Sequence, residues 1–151
     1  MKKFSFNKSD LMENNCLINE DGFISNGTLA IRQEFCSVRK TLNANFVTLK
    51  DFGIQAGMLL NPEWNTLKDV LEINKQFMSE IEILDKGNNF FIPIFYNNKY
   101  GMREKRLNKS MLERILRISP NIKLYADYDS NTAQLQIVLN NEIIGIIVVQ
   151  S

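Results

Sequence analysis

Only a few residues have types and spacings suited to chemistry. Asp127 and Asp129 lie two apart in a run of strand-forming residues, so both carboxylates fall on one face at a spacing a divalent cation can use. They also stand just before Ser130-Asn131, a turn where acidic side chains commonly face solvent, and no metal is expected there. Glu80 and Glu82 alternate with Ile81 and Ile83, the pattern of a strand with one wet face. The chain has no histidine, which removes the commonest general base and metal ligand. Ser-His-Asp and Cys-His schemes therefore cannot be assembled. Gly53-Ile54-Gln55-Ala56-Gly57 lacks the lysine and hydroxyl of a phosphate loop and reads as a bend. Cys16 and Cys36 are twenty positions apart without a Cys-x-x-Cys pair, so structural zinc is excluded and free buried thiols are expected. The expectation is a protein that binds rather than catalyses, without a cofactor.

Charge is the remaining handle. The net charge of +1 favours no class of partner in bulk. Between Lys99 and Lys123, however, eight cations (Lys99, Arg103, Lys105, Arg106, Lys109, Arg114, Arg117 and Lys123) face only Glu104 and Glu113. That segment carries a net +6 and leaves −5 to the rest of the chain. A localised contact with an anion and a solvated helix face are both compatible with it.

A helix is expected from Asn108, a good N-cap, to Ser119-Pro120, where proline ends it. Met111, Leu112, Ile115 and Leu116 then form its buried face, and Lys109, Arg114 and Arg117 fall opposite. A second helix is expected over 66–77, capped by Asn65 or Thr66, and a short helical turn over 9–14. Strands are expected over 3–6, 23–25, 28–35, 80–84, 90–96, 122–128, 133–139 and 142–149. Asp21-Gly22, Asn26-Gly27 and Asn140-Asn141 supply turns between them. With 44% hydrophobic residues the 151 positions can fill one core, so a single domain is expected. Residues 38–64, broken by Gly53, Gly57 and Pro62, read as an irregular insertion with one short strand or turn of helix, and Trp64 as its core anchor. The start, Met1 to Asp10, does not read as a signal peptide, and the longest apolar stretch, Ile143 to Val149, is far below the ~20 residues that span a bilayer. A cytoplasmic protein without membrane contact is expected.

The chain also echoes itself. Phe6-Asn7-Lys8-Ser9-Asp10-Leu11 matches Leu107-Asn108-Lys109-Ser110-Met111-Leu112, and strands joined by tight turns follow each within about twenty residues. Strand, helix and three strands, used twice, resembles one domain of the DNA sliding clamps. Ile24-Ser25-Asn26-Gly27-Thr28-Leu29-Ala30-Ile31 looks like the bacterial clamp hairpin that reads Thr-Asp-Gly-His-Arg-Leu-Ala, and Ile122 to Val149 is similar to the closing three strands. The hairpin here is one residue shorter and lacks the His-Arg pair, and Val148-Val149 stands where many clamps have Met-Pro.

The resemblance implies an α+β fold, an antiparallel sheet with one or two packed helices, built as a pseudo-repeat of β-α-β-β-β units. It implies a non-enzymatic protein contacting the backbone of duplex DNA, or a replication component, through Arg103, Lys105, Arg106, Lys109, Arg114 and Arg117. Encircling DNA with single-domain chains takes about six copies, so a homo-oligomer is implied too. Doubled asparagines and abundant Lys and Ile suit an AT-rich genome, and with the resemblance point to a bacteriophage source. The rival expectation is a phage-encoded interaction protein that binds and inhibits a host nuclease, replication or defence factor. Edge strands, residues 38–64 and the aromatics Phe90, Phe91, Phe95, Tyr96 and Tyr100 would then form the interface.

Overall fold

A computed structural model of the protein describes residues 2–55, 66–71, 79–85, 90–94, 107–126 and 134–148. The chain begins with β1 (Phe4–Phe6), two 3₁₀ turns at Lys8–Asp10 and Glu13–Asn15, and the meander β2 (Cys16–Glu20), β3 (Phe23–Ser25) and β4 (Leu29–Arg32). A 3₁₀ turn at Gln33–Phe35 leads into β5 (Cys36–Val38), another at Lys40–Leu42 into β6 (Asn45–Val47), and then come α1 (Leu49–Gln55) and α2 (Leu67–Val70). Next are β7 (Ser79–Glu80), β8 (Glu82–Asp85), β9 (Phe90–Ile94), β10 (Leu107–Asn108) and α3 (Lys109–Leu116). The meander β11 (Lys123–Ala126), β12 (Gln134–Leu139) and β13 (Glu142–Val148) follows.

This is an α+β protein. Its main sheet has the order β6-β2-β3-β4-β13-β12-β11-β7 and is antiparallel except where β6 runs parallel to β2. Two meanders thus meet edge to edge at the antiparallel β4–β13 pair. Gly145 sits at that seam, opposite Ile31, and a Cβ there would stand 2.7 Å from the Ala30 carbonyl oxygen. Two smaller sheets, parallel β1–β5 and antiparallel β10-β9-β8, hold the other strands among the described residues.

Side chains alternate between the faces of the main sheet, and both faces are covered at β2–β4. Leu17, Ile24, Leu29 and Ile31 join Phe4, Phe6, Leu112 and Ile115 in the larger core on the side of β1 and α3. Ile18, Phe23 and Ala30 pack with Leu67 and the half-buried Leu49 and Phe52 on the other side, under α1 and α2. Double coverage makes Cys16-Leu17-Ile18 a continuous apolar run without alternation, which is why β2 escaped the sequence expectation.

Residues 38–55 contain a short strand and a short helix. They extend the sheet by β6 and supply α1, whose apolar side closes the second core. The Glu20 carboxylate accepts from the Leu49 N–H at 3.2 Å and the Leu67 N–H at 3.0 Å, and Asp21 accepts from the Lys68 N–H at 2.9 Å. One strand end thereby satisfies helix-start donors in both α1 and α2. The rest of the segment, with Trp64, and most of the helix expected over 66–77 lie outside the described residues.

The turn residues behave as their types require. Asp21 and Gly22, at φ 55 and 80, close β2–β3, and Asn140 and Asn141, at φ 51 and 64, close β12–β13. Between β3 and β4 the Asn26 side chain accepts from the N–H groups of Thr28 and Leu29 while Gly27 takes φ 86.

Candidate functional site

The basic segment is where the sequence leads one to expect a contact, and residues 107–123, with α3, are its described part. Asn108 caps α3 by accepting from the Met111 N–H at 3.0 Å, and Met111, Leu112 and Ile115 are buried. Leu116, expected inside, is 38% exposed, and Ile118, past the helix end, is buried instead. That rotates the apolar stripe toward Met111 and Ile118, and Arg114 comes to lie at its border.

Arg114 was expected on the solvent side, and the structure corrects this. Its side chain is 19% exposed, and its two terminal nitrogens donate to both Asp10 oxygens at 2.6 and 2.8 Å. It also donates to the Ser5 carbonyl oxygen at 3.0 Å and lies 4.8 Å above the Phe4 ring. Asp10 is 5% exposed and accepts in addition from the Asn7 N–H at 2.8 Å, while Asn7 accepts from the Asp10 N–H at 3.2 Å. These reciprocal bonds are a capping box on a single 3₁₀ turn. A buried carboxylate needs a paired cation, and only a long, forked side chain at the helix border reaches it while holding a second acceptor. Arg114 is thus committed to the interior and is withdrawn from any phosphate contact.

The other candidates stand differently. Arg117 is exposed at the end of α3, and Lys109, in its first turn, is half-buried and engaged with a neighbouring group. Glu113 shares the outward side of α3 with them. Arg103, Lys105 and Arg106 lie outside the described residues, as do Asp127, Asp129, Phe95, Tyr96 and Tyr100. Lys123 lies 3.8 Å from Glu80, and Ile81 is buried between the exposed Glu80 and Glu82.

Lys8 was given no role from the sequence. It is exposed in the capped turn that begins at the same place relative to β1 as Lys109 does relative to β10. The shared Asn-Lys-Ser was the signal that could have found it.

Two further places hold no reactive arrangement. An open cleft of about 510 Å³ is lined by Asp21, Gly22, Phe23, Arg32, Gln33 and Glu34. Arg32 there donates to the Ile143 carbonyl oxygen at 2.9 Å, reaches Glu142 at 3.5 Å and lies 5.6 Å above the Phe23 ring. The two cysteines are free and buried. Burial pushes the Cys36 thiol up to about 11, with Lys3 opposing the shift, so it is a poor nucleophile at neutral pH. Among the described residues no helix is long and apolar enough to cross a membrane.

No protein-family model matches the chain, and no curated protein or solved structure is significantly similar to it.

Proposed function

We propose that the chain is a non-enzymatic, clamp-like binding protein that contacts the phosphate backbone of duplex DNA on the side of α3 and the Asn7-capped turn. The withdrawal of Asp10 carries this reading. Lys8, Asp10 and Glu13 together do not make the first capped segment basic, which from the sequence alone counts against its facing DNA beside α3. With the Asp10 carboxylate buried and neutralised by Arg114, that segment is no longer net acidic at its surface, and Lys8 is exposed there together with Glu13. Arg117, Lys109 and the neighbouring Arg103, Lys105 and Arg106 supply the remaining cations of the same reading. Such contacts neutralise phosphates without reading bases, so binding is sequence-independent and steeply salt-dependent.

Two features support the clamp-like pairing of units. Asn7 and Asn108 each cap a helical turn directly after a short strand, and each turn leads on to a three-stranded meander. The meanders β2–β3–β4 and β11–β12–β13 meet at β4–β13, a seam that lets two like units share one sheet. In the first unit two short 3₁₀ turns, Lys8–Asp10 and Glu13–Asn15, stand in the place of the helix.

The test is a duplex titration at low salt with a native mass measurement. Binding to unrelated duplexes alike, by an oligomer, is the expected result. No binding at about 100 μM, the weak end of non-specific affinity, by a monomer would reject the DNA role.

A second reading, a protein partner such as a host factor to be inhibited, is favoured by one observation. Among the described residues β6 forms one edge of the main sheet, and Phe46 on it and Ile54 in the following α1 are 50% and 70% exposed. A monomer indifferent to duplex DNA would leave this reading in place.

A further inference from the structure

The parallel pairing of β1 with β5 does something that neither strand announces alone. Parallel strands leave their ladder at the same end, and the last pair here is Phe6 with Val38. Asn7-Lys8 and Arg39-Lys40 therefore emerge side by side, from strands about 4.8 Å apart. Lys8, Arg39 and Lys40 are all exposed, and none is ion-paired to another described residue. Residues thirty-one positions apart thus meet as one cationic group.

Both exits are stiffened. The capping box closes the turn that carries Lys8, and the Leu42 N–H donates to the Arg39 carbonyl oxygen at 3.1 Å across the turn that carries Lys40. Asn43, at φ 50, then ends that turn. The acid in the same turn as Lys8, Asp10, is buried against Arg114 and offers the cluster no partner, and Glu13, exposed in the following turn, is not ion-paired to it.

The surroundings select the ligand. The two exits expose Asn7, Lys8, Ser9, Arg39, Lys40 and Thr41, with no exposed apolar side chain among them. A membrane surface is held by an apolar face together with charge, and protein interfaces by aromatic anchors. A partner gripped by closely spaced cations and hydroxyl and amide groups alone is a polymer of phosphates.

We infer that the exit end of the β1–β5 ladder, with Lys8, Arg39 and Lys40 as its cations, is a phosphate-backbone contact for nucleic acid. This deepens the DNA reading above and rests on it. It moves the centre of the contact from α3 to the adjoining ladder.

The full chain is titrated with a short mixed-sequence duplex by fluorescence anisotropy over a series of salt concentrations. The parent is compared with the triple variant Lys8→Gln, Arg39→Gln, Lys40→Gln and with the double variant Lys109→Gln, Arg117→Gln. The expected result is that the triple variant loses affinity for every duplex and its salt slope falls by about 2.7, roughly 0.9 for each lost contact. Its thermal midpoint stays at the parent value, because all three side chains are exposed. A triple variant that binds like the parent, while the double variant does not, overturns the ladder contact and leaves the DNA reading standing. A parent that binds no duplex overturns both. Retention on anionic lipid vesicles without duplex binding overturns both in favour of a membrane surface.

Discussion

Replacing Arg114 with alanine separates an interior arginine from a DNA-facing one. In the native protein its guanidinium spans both Asp10 oxygens at 2.6 and 2.8 Å, holds the Ser5 carbonyl oxygen at 3.0 Å and covers the Phe4 ring at 4.8 Å. Without it the Asp10 carboxylate, 5% exposed, keeps only the Asn7 N–H at 2.8 Å. Removing one partner of a buried pair costs about 3–5 kcal/mol, chiefly because the remaining charge is left desolvated. Water reaching the partly exposed Arg114 weakens the pair's own attraction, so the lower end, about 3 kcal/mol, is expected. Urea unfolding at neutral pH measures this as a lower midpoint at unchanged slope.

Asp10→Met with Arg114→Met replaces the buried ion pair by an apolar pair and should recover most of the loss. The salt slope of any duplex binding should be the same for Arg114→Ala as for the parent once the folded fraction is accounted for. A stability loss below about 1 kcal/mol together with a slope lowered by about 0.9 would refute the interior assignment.

The other expectations concern the sheet seam and the buried thiol. Gly145→Ala puts a Cβ 2.7 Å from the Ala30 carbonyl oxygen, on the backbone of the neighbouring strand, and should destabilise by about 1–3 kcal/mol in the same unfolding assay. An unchanged midpoint would mean that β4 and β13 are not packed at this register. Burial raises Cys36 from its ordinary 9.0 to about 11, so the stability tied to its neutral form is complete below about 9 and is lost as pH climbs toward 11. Native protein should therefore label slowly with a thiol reagent near neutral pH and unfold more readily in alkali, whereas fast native labelling of Cys36 would contradict its burial.

Local signals were legible wherever the physics is local. Asn108 as a cap, Asp21-Gly22 and Asn140-Asn141 as tight turns, and the strands near 23–25, 134–139 and 142–148 depend on neighbours a few residues away. β2 was missed because alternation vanishes where both faces of a sheet are covered. Within 38–64 the sequence left room for one short strand or turn of helix without placing either, because Gly53 looks like a breaker, while packing of Leu49 and Phe52 on the second core accompanies the helix around it.

Composition and spacing alone determined that histidine-based chemistry is excluded, that positive charge concentrates between Lys99 and Lys123, and that α3 is amphipathic. Only the tertiary structure decided which charges face water. Arg114 and Asp10, more than a hundred residues apart in the chain, cancel in the interior because desolvation forces a buried carboxylate to find a cation. Lys8, Arg39 and Lys40 come together because parallel pairing brings two strand ends to the same edge, a coincidence of direction that no linear spacing encodes.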